Sequence, residues 1–271
     1  MAALPQQSVQ VPSPVAGRMW GRVLSYWMQV WRRTWRGTIV TGFLSPLMFL
    51  AAMGIGLSTL VDRGSQDALG VPYLMFIAPG VLAATAMQTA VGESTWPVMG
   101  AIKWQRQYHA MLATPLGVTD VVAGHLVFVA CRVAVASGVF LLVAAPLGAL
   151  ASWWSLAALP VAVLCGMAFA APVFAFSART ESDAGFNVLF RFIVMPLFLF
   201  SGTFFPVSQL PAVMQPIAWA TPLWHGVEAC RALTLGEGSA LGVLGHVGYL
   251  MVWIAVGSWL AHRSFRSRLV V

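Results

Sequence analysis

The side chains of this chain best suited to hold a metal or attack a substrate are His109, His125, His225, His246 and His262, together with Cys131, Cys165 and Cys230. The cysteines show no CxxC spacing and no accompanying His pair, so neither a metal centre nor a disulfide framework is expected. Cys131 and Cys165 fall inside long apolar runs, where a thiol serves as a small apolar side chain. The sequence has no GxxxxGK[ST] phosphate loop, no GxSxG, no HExxH and no DxDxDG loop. The expectation is a chain that is not an enzyme, with no catalytic residue, no metal and no cofactor of its own.

Three other groups of polar residues stand out. Arg132 lies near the middle of an apolar run. An arginine at the centre of a spanning helix costs about 2.5–3.5 kcal/mol to insert, so it either faces a bundle interior and marks function, or is satisfied by a helix carbonyl, by Glu93 or Asp120, or by snorkelling. Residues 93–118 carry Glu93, Lys103 and Arg106, and Thr114-Pro115 ends their central part. They read as a loop with a short amphipathic core, which serves either as a handle for a soluble partner or as an interfacial anchor. Residues 204–233 carry Phe205, Pro206, Gln215, Trp219, Pro222, His225, Glu228 and Arg231 among Pro211 and Pro216. Four prolines break this stretch into pieces too short to span a bilayer.

The elements that position these groups follow from composition. Hydrophobic residues make up 59% of the chain and charged residues 8%, against about 25% charged in a globular domain. Mean hydropathy is +0.81. A water-soluble fold could not cover its surface with so few charges, so the chain reads as a polytopic membrane protein. Six apolar runs reach the length of about 20 residues that a spanning helix needs: 39–60, 73–92, 119–146, 153–177, 188–205 and 240–262. All are of helical length, which argues for an all-α fold and against a barrel.

Arg18, Arg22, Arg32, Arg33, Arg36, Lys103, Arg106, Arg179, Arg263, Arg266 and Arg268 fall on one side of the membrane, and Arg63 and Arg231 on the other. Eleven against two places both termini in the cytoplasm by the positive-inside rule. The net charge of +7 is therefore mostly this bias and not a nucleic-acid footprint. Residues 1–17 read as a flexible tail with no cleavable signal peptide, and 263–271 as a basic tail. Between them, 18–38 places Trp20, Leu24, Trp27, Val30, Trp31 and Trp35 at helical spacing among five arginines, the pattern of a helix lying in the interface.

Three stretches carry a family resemblance. Leu112-Ala-Thr114-Pro115-Leu-Gly-Val-Thr-Asp120-Val-Val-Ala-Gly124, Phe198-Leu-Phe-Ser201-Gly202-Thr-Phe204-Phe205-Pro206, and Leu210-Pro211 through Gln215, Trp219, Thr221-Pro222-Leu223-Trp224-His225-Gly226, Glu228 and Arg231 resemble the membrane subunits of ABC-2-type exporters. The last run is closest to the nodulation-factor branch, beside daunorubicin exporters. The resemblance implies a six-helix transmembrane domain over 39–262 in the cytoplasmic (inner) membrane, with 18–38 as an amino-terminal connecting helix. It makes about 93–113 a coupling helix, with Glu93, Lys103, Arg106, Thr114 and Pro115 at the ATPase contact. About 204–233 become re-entrant helices forming an extracellular gate with Phe205, Pro206, Gln215, Trp219, Pro222, His225, Glu228 and Arg231. It implies two ABC ATPase subunits that bind ATP and Mg, a second permease copy or homologue, contact with membrane lipid, and an amphipathic substrate, with no nucleic acid. The competing classes are an ion-driven secondary transporter, which would need intramembrane carboxylates, and a membrane scaffold for envelope enzymes.

Overall fold

The computed structural model describes residues 19–52, 56 and 71–270, with the side chains of 35–46 set aside. The expected tail 1–17, the far end of the first span and the loop with Arg63 lie outside the described residues. Every regular element among the described residues is helical.

Helix α1 runs unbroken over Trp20–Ala51, so the expected interfacial segment and the start of the first span are one helix. No residue at the expected junction removes a backbone donor, and Gly37 there costs a helix only about 1 kcal/mol. Helix α2 spans Tyr73–Ser94 and α3 Trp96–Lys103. The break falls at Thr95 (φ −101°, ψ −99°), because Pro97 cannot donate to the carbonyl of Glu93. A turn at Arg106, in the left-handed region at φ 50°, leads into α4, Gln107–Leu112. The expected single coupling helix is thus two short ones.

Helix α5 covers Val118–Ala144, and its Asp120 carboxylate accepts the Gly117 backbone N–H at 3.1 Å. An acidic group in the first turn satisfies a free donor and opposes the helix dipole. Helix α6 is Ser155–Arg179. Helix α7, Ala184–Leu189, passes through a π turn at Phe190–Val194 into α8, Met195–Phe200. The wide turn lies where Pro196 cannot donate to Phe192. Then come a 3₁₀ turn at Val207–Gln209, α9 at Gln215–Trp219, α10 at Pro222–Leu235 and α11 at Ala240–Leu269. Helix α10 has Pro222 in its first turn, a Thr221 hydroxyl accepting Trp224 N–H at 3.3 Å and Gly236 at φ 73° just past its end, the common start and stop features of a helix.

Among the described residues, four apolar helical segments are long enough to cross a bilayer: Tyr73–Lys103, Val118–Ala144, Ser155–Arg179 and Ala240–Leu269. Ala184–Phe200 is apolar but shorter. Helices α2, α5, α6, α10 and α11 share one core that includes Leu82, Met87, Val129, Phe174, Leu223 and Leu250. One end of the bundle, here the basic end, collects α3, α4 and the termini of α6 and α11, tied by Ser177 Oγ donating to Ser94 O at 2.6 Å and by Glu181. The other end holds the start of α6, where Ala151 N donates to Thr234 O at 3.1 Å.

Candidate functional site

At the basic end, Tyr108 of α4 is fully buried. Its hydroxyl lies 2.6 Å from Nδ1 of His125 on α5. Burial pushes the Tyr108 phenol well up. The Trp27 ring of α1 packs 4.2 Å from the His125 ring, centre to centre. Phe265 of α11 meets Tyr108 at 5.5 Å and stacks on Phe174 of α6 at 4.8 Å. Five helices therefore converge on one aromatic cluster. Two buried donors or acceptors in it, Trp27 Nε1 and His125 Nε2, have no partner among the described residues.

The start of α1 is held to α5 by two further features of the Thr-Pro-to-Gly run. Met19 N–H donates to Asp120 Oδ1 at 2.8 Å. A side chain at Gly124 would place its Cβ 2.6 Å from the carbonyl oxygen of Trp20, so only glycine allows this approach.

Of the expected coupling residues, Lys103, Arg106, Thr114 and Pro115 gather at the basic end. Lys103 Nζ donates to the backbone carbonyl of Glu181 and lies 3.4 Å from its Oε2, while Arg268 reaches Oε1 at 2.6 Å. The Arg268 hydrogen bond and charge, and then Lys103, hold the exposed Glu181 carboxyl below its usual range. Thr114 Oγ1 donates to Met111 O at 2.5 Å and closes the turn after α4. Arg106 and Pro115 are exposed.

Glu93, next to Ser94, makes a contact of a different kind. It lies at the α2–α3 break and pairs with Arg132, whose Nε and Nη2 reach Oε1 at 3.1 and 2.5 Å. The Arg132 guanidinium also lies 5.5 Å over the Trp31 ring of α1. Among the partners the sequence leaves open for Arg132, the fold selects Glu93. The pair is partly buried, with side chains 14% and 21% exposed, which requires each charge to be met locally.

The expected gate residues come together at the opposite end. Gln215 Nε2 donates to Leu210 O at 2.9 Å and to Ser208 O at 3.3 Å, tying α9 to the 3₁₀ turn. Phe205 packs with Met214 and Trp224 against Val207, Leu210 and Ala218. Pro206 is half-buried, Pro222 buried and Trp219 exposed. His225 Nδ1 faces His246 Nδ1 of α11 at 2.8 Å, and its ring stacks on Tyr249 at 3.9 Å. Arg231 binds Glu228 Oε1 at 2.5 Å and Gly202 O at 2.7 Å, with its guanidinium 4.0 Å over Phe76.

Helix α10 is inserted and does not float at the surface. A Cβ on Gly226 would overlap the Cys165 sulfur and lie 2.8 Å from the Cys165 Cβ. Cys165 is ten residues into α6, about 15 Å along that helix. Nearby, a Cβ on Gly80 would lie 2.7 Å from Thr203 O, so the chain after α8 turns back below the bundle end.

Tyr108, His125 and Glu181 carry structural connections that the motif reading does not single out. Asp120 and Gly124 were visible as fixed points of the family pattern. Tyr108 and His125 gave no local signal, because each is an isolated polar residue whose partner is distant in sequence.

Long apolar helices, an inserted short-helix element and an ion pair within the bundle define a multi-pass α-helical membrane protein. The family described as ABC-2 type transporter matches residues 22–235, and the chain belongs to it as a transport permease component. It is 35% identical over 253 residues to Nodulation protein J of Rhizobium leguminosarum bv. trifolii, covering 93% of each chain. It is 32% identical over 254 residues to Nodulation protein J of Rhizobium meliloti (strain 1021), again covering 93% of each. The Inner membrane transport permease YadH of Escherichia coli (strain K12) is 23% identical over 230 residues, 80% of this chain and 84% of that one.

Proposed function

We propose that this chain is the membrane-spanning half of an ATP-driven exporter in the cytoplasmic membrane. Two permeases, identical or siblings, enclose a path for an amphipathic or lipid-like substrate, which leaves the cytoplasm or inner leaflet by alternating access. Two separate ABC ATPase subunits bind ATP and Mg and dock at the basic end, which faces the cytoplasm on the charge count. In this reading α1 and the broken Ala184–Phe200 segment complete six crossings, and α9 with α10 form a re-entrant gate on the far side. Irregular backbone at membrane depth is tolerated where protein covers it, and α10 meets that condition against α2 and α6.

The observation that carries the reading is the Tyr108 cluster. A push on α4 from a docked ATPase reaches α1, α5, α6 and α11 through one set of packed rings, so a short surface helix has leverage on the whole bundle. The exposed apolar side chains Val188, Phe192, Ile193, Met195 and Leu199 on the fifth segment suit a seam with the second permease. The test is reconstitution in vesicles with a co-purifying ABC ATPase. ATP-dependent movement of an amphipathic cargo supports the reading, and movement that persists without the ATPase overturns it.

A further inference from the structure

An open groove of about 300 Å³ runs along the outside of the bundle between α5, α6 and α11. Thr119, Ala123 and Ala130 on α5, Met167 on α6, and Ser258 and His262 on α11 line it. The α5 residues recur at four- and seven-residue steps, a single helical face. The alanines at 123 and 130 and Ser258 leave the space that larger side chains would fill.

The groove is apolar along its length and polar only at the basic end. There Thr119 Oγ1 and His262 Nδ1 lie 3.5 Å apart. Arg266 is exposed and one turn beyond His262 on the same helix face, and the Arg263 guanidinium lies 5.8 Å over the ring of Trp259. The nearest carboxylate, Asp120, is buried with its oxygens on Met19 N and Gly117 N, and Glu181 is engaged by Lys103 and Arg268. From Thr119 to Ala130 the groove is about 16 Å long, which matches one leaflet of a hydrocarbon core about 30 Å thick.

We infer that this groove is a binding site for an anionic membrane phospholipid, with one acyl chain lying along Ala123 and Ala130 and the phosphate held by Thr119, His262 and Arg266. Length, apolarity and charge each match one part of such a molecule.

The test is native mass spectrometry of the delipidated full-length protein, titrated with phosphatidylglycerol or phosphatidylcholine of identical chains. Wild type is expected to bind phosphatidylglycerol about tenfold more tightly, since nearby cations favour an anionic headgroup. Ala130→Phe should abolish the tight site for both lipids. Arg266→Gln with His262→Asn should remove only the preference for phosphatidylglycerol. Val135→Phe, on an exposed part of α5 outside the groove, should change neither and controls for folding. Equal binding of the two lipids by wild type, or unchanged binding in Ala130→Phe, overturns the proposal. So does loss of a protein dimer in Ala130→Phe without loss of lipid, which would assign the groove to a second copy, as would displacement of the lipid by a transported cargo.

Discussion

The Tyr108 hydroxyl and the His125 Nδ1 meet at 2.6 Å in a fully buried setting, and this one hydrogen bond joins the short helix α4 to the long helix α5. Tyr108→Phe keeps the ring packing and strands a buried imidazole nitrogen. That should cost about 1–3 kcal/mol, visible as a lowered melting temperature in detergent. If α4 receives the ATPase, an exporter assembled with this variant should show reduced transport per ATP hydrolysed by the ATPase subunits; unaltered stoichiometry would remove the hydrogen bond from coupling.

Glu93 and Arg132 should behave as a pair. Arg132→Leu leaves a partly buried carboxylate without its partner, and Glu93→Leu leaves the guanidinium likewise. Each single variant should lose about 2 kcal/mol or more, and the double Leu variant should be closer to wild type than either, because removing both charges restores neutrality. Melting curves of the four proteins make the cycle, and additive losses would show that the two side chains act independently.

Gly226 is the contact point that lets α10 lie against α6. Gly226→Val should overpack against Cys165 at a cost of about 1–3 kcal/mol and lift α10 from its seat. Cys165 and Cys230 are both fully buried free thiols. They should resist a maleimide in the wild-type protein and react in the variant, with labelling rate as the readout.

The Glu181 contact should respond to acid and salt. Its carboxyl is held low in the folded protein by Arg268 and Lys103, so its contribution is full above the unfolded value of about 4.3 and is lost as pH falls through the lower folded one. Glu181→Gln should therefore differ from wild type near neutral pH and converge with it in acid. Because the group is exposed, high salt should shrink the difference as well.

The apolar helices were legible because their lengths are dictated by a bilayer, and the short pieces around α10 because four prolines break the stretch before the last span. The run from Thr114 to Gly124 was legible as a pattern, and the fold supplies its reasons: Asp120 captures Met19, and Gly124 admits α1. Glu93 was read with the coupling residues from its place near the end of a span. Its pairing with Arg132 depends on how α2 and α5 lie side by side, which hydrophobic periodicity does not encode. The unbroken α1 was hidden for the opposite reason, since its amphipathic and apolar halves differ in composition while the backbone is indifferent to the change. Tyr108 and His125 are distant in sequence, and only packing brings them together.

Arg231 grips the carbonyl of Gly202 with one nitrogen and Glu228 with another while lying on Phe76. The chain between Gly202 and Arg231 is thereby closed on itself by a single guanidinium. It forms a clasp that holds the 3₁₀ turn, α9 and most of α10 as one piece against α2. An opening motion that keeps this clasp shut must swing the whole piece about its two ends, whereas one that releases it must expose a cation in a setting built to hide it.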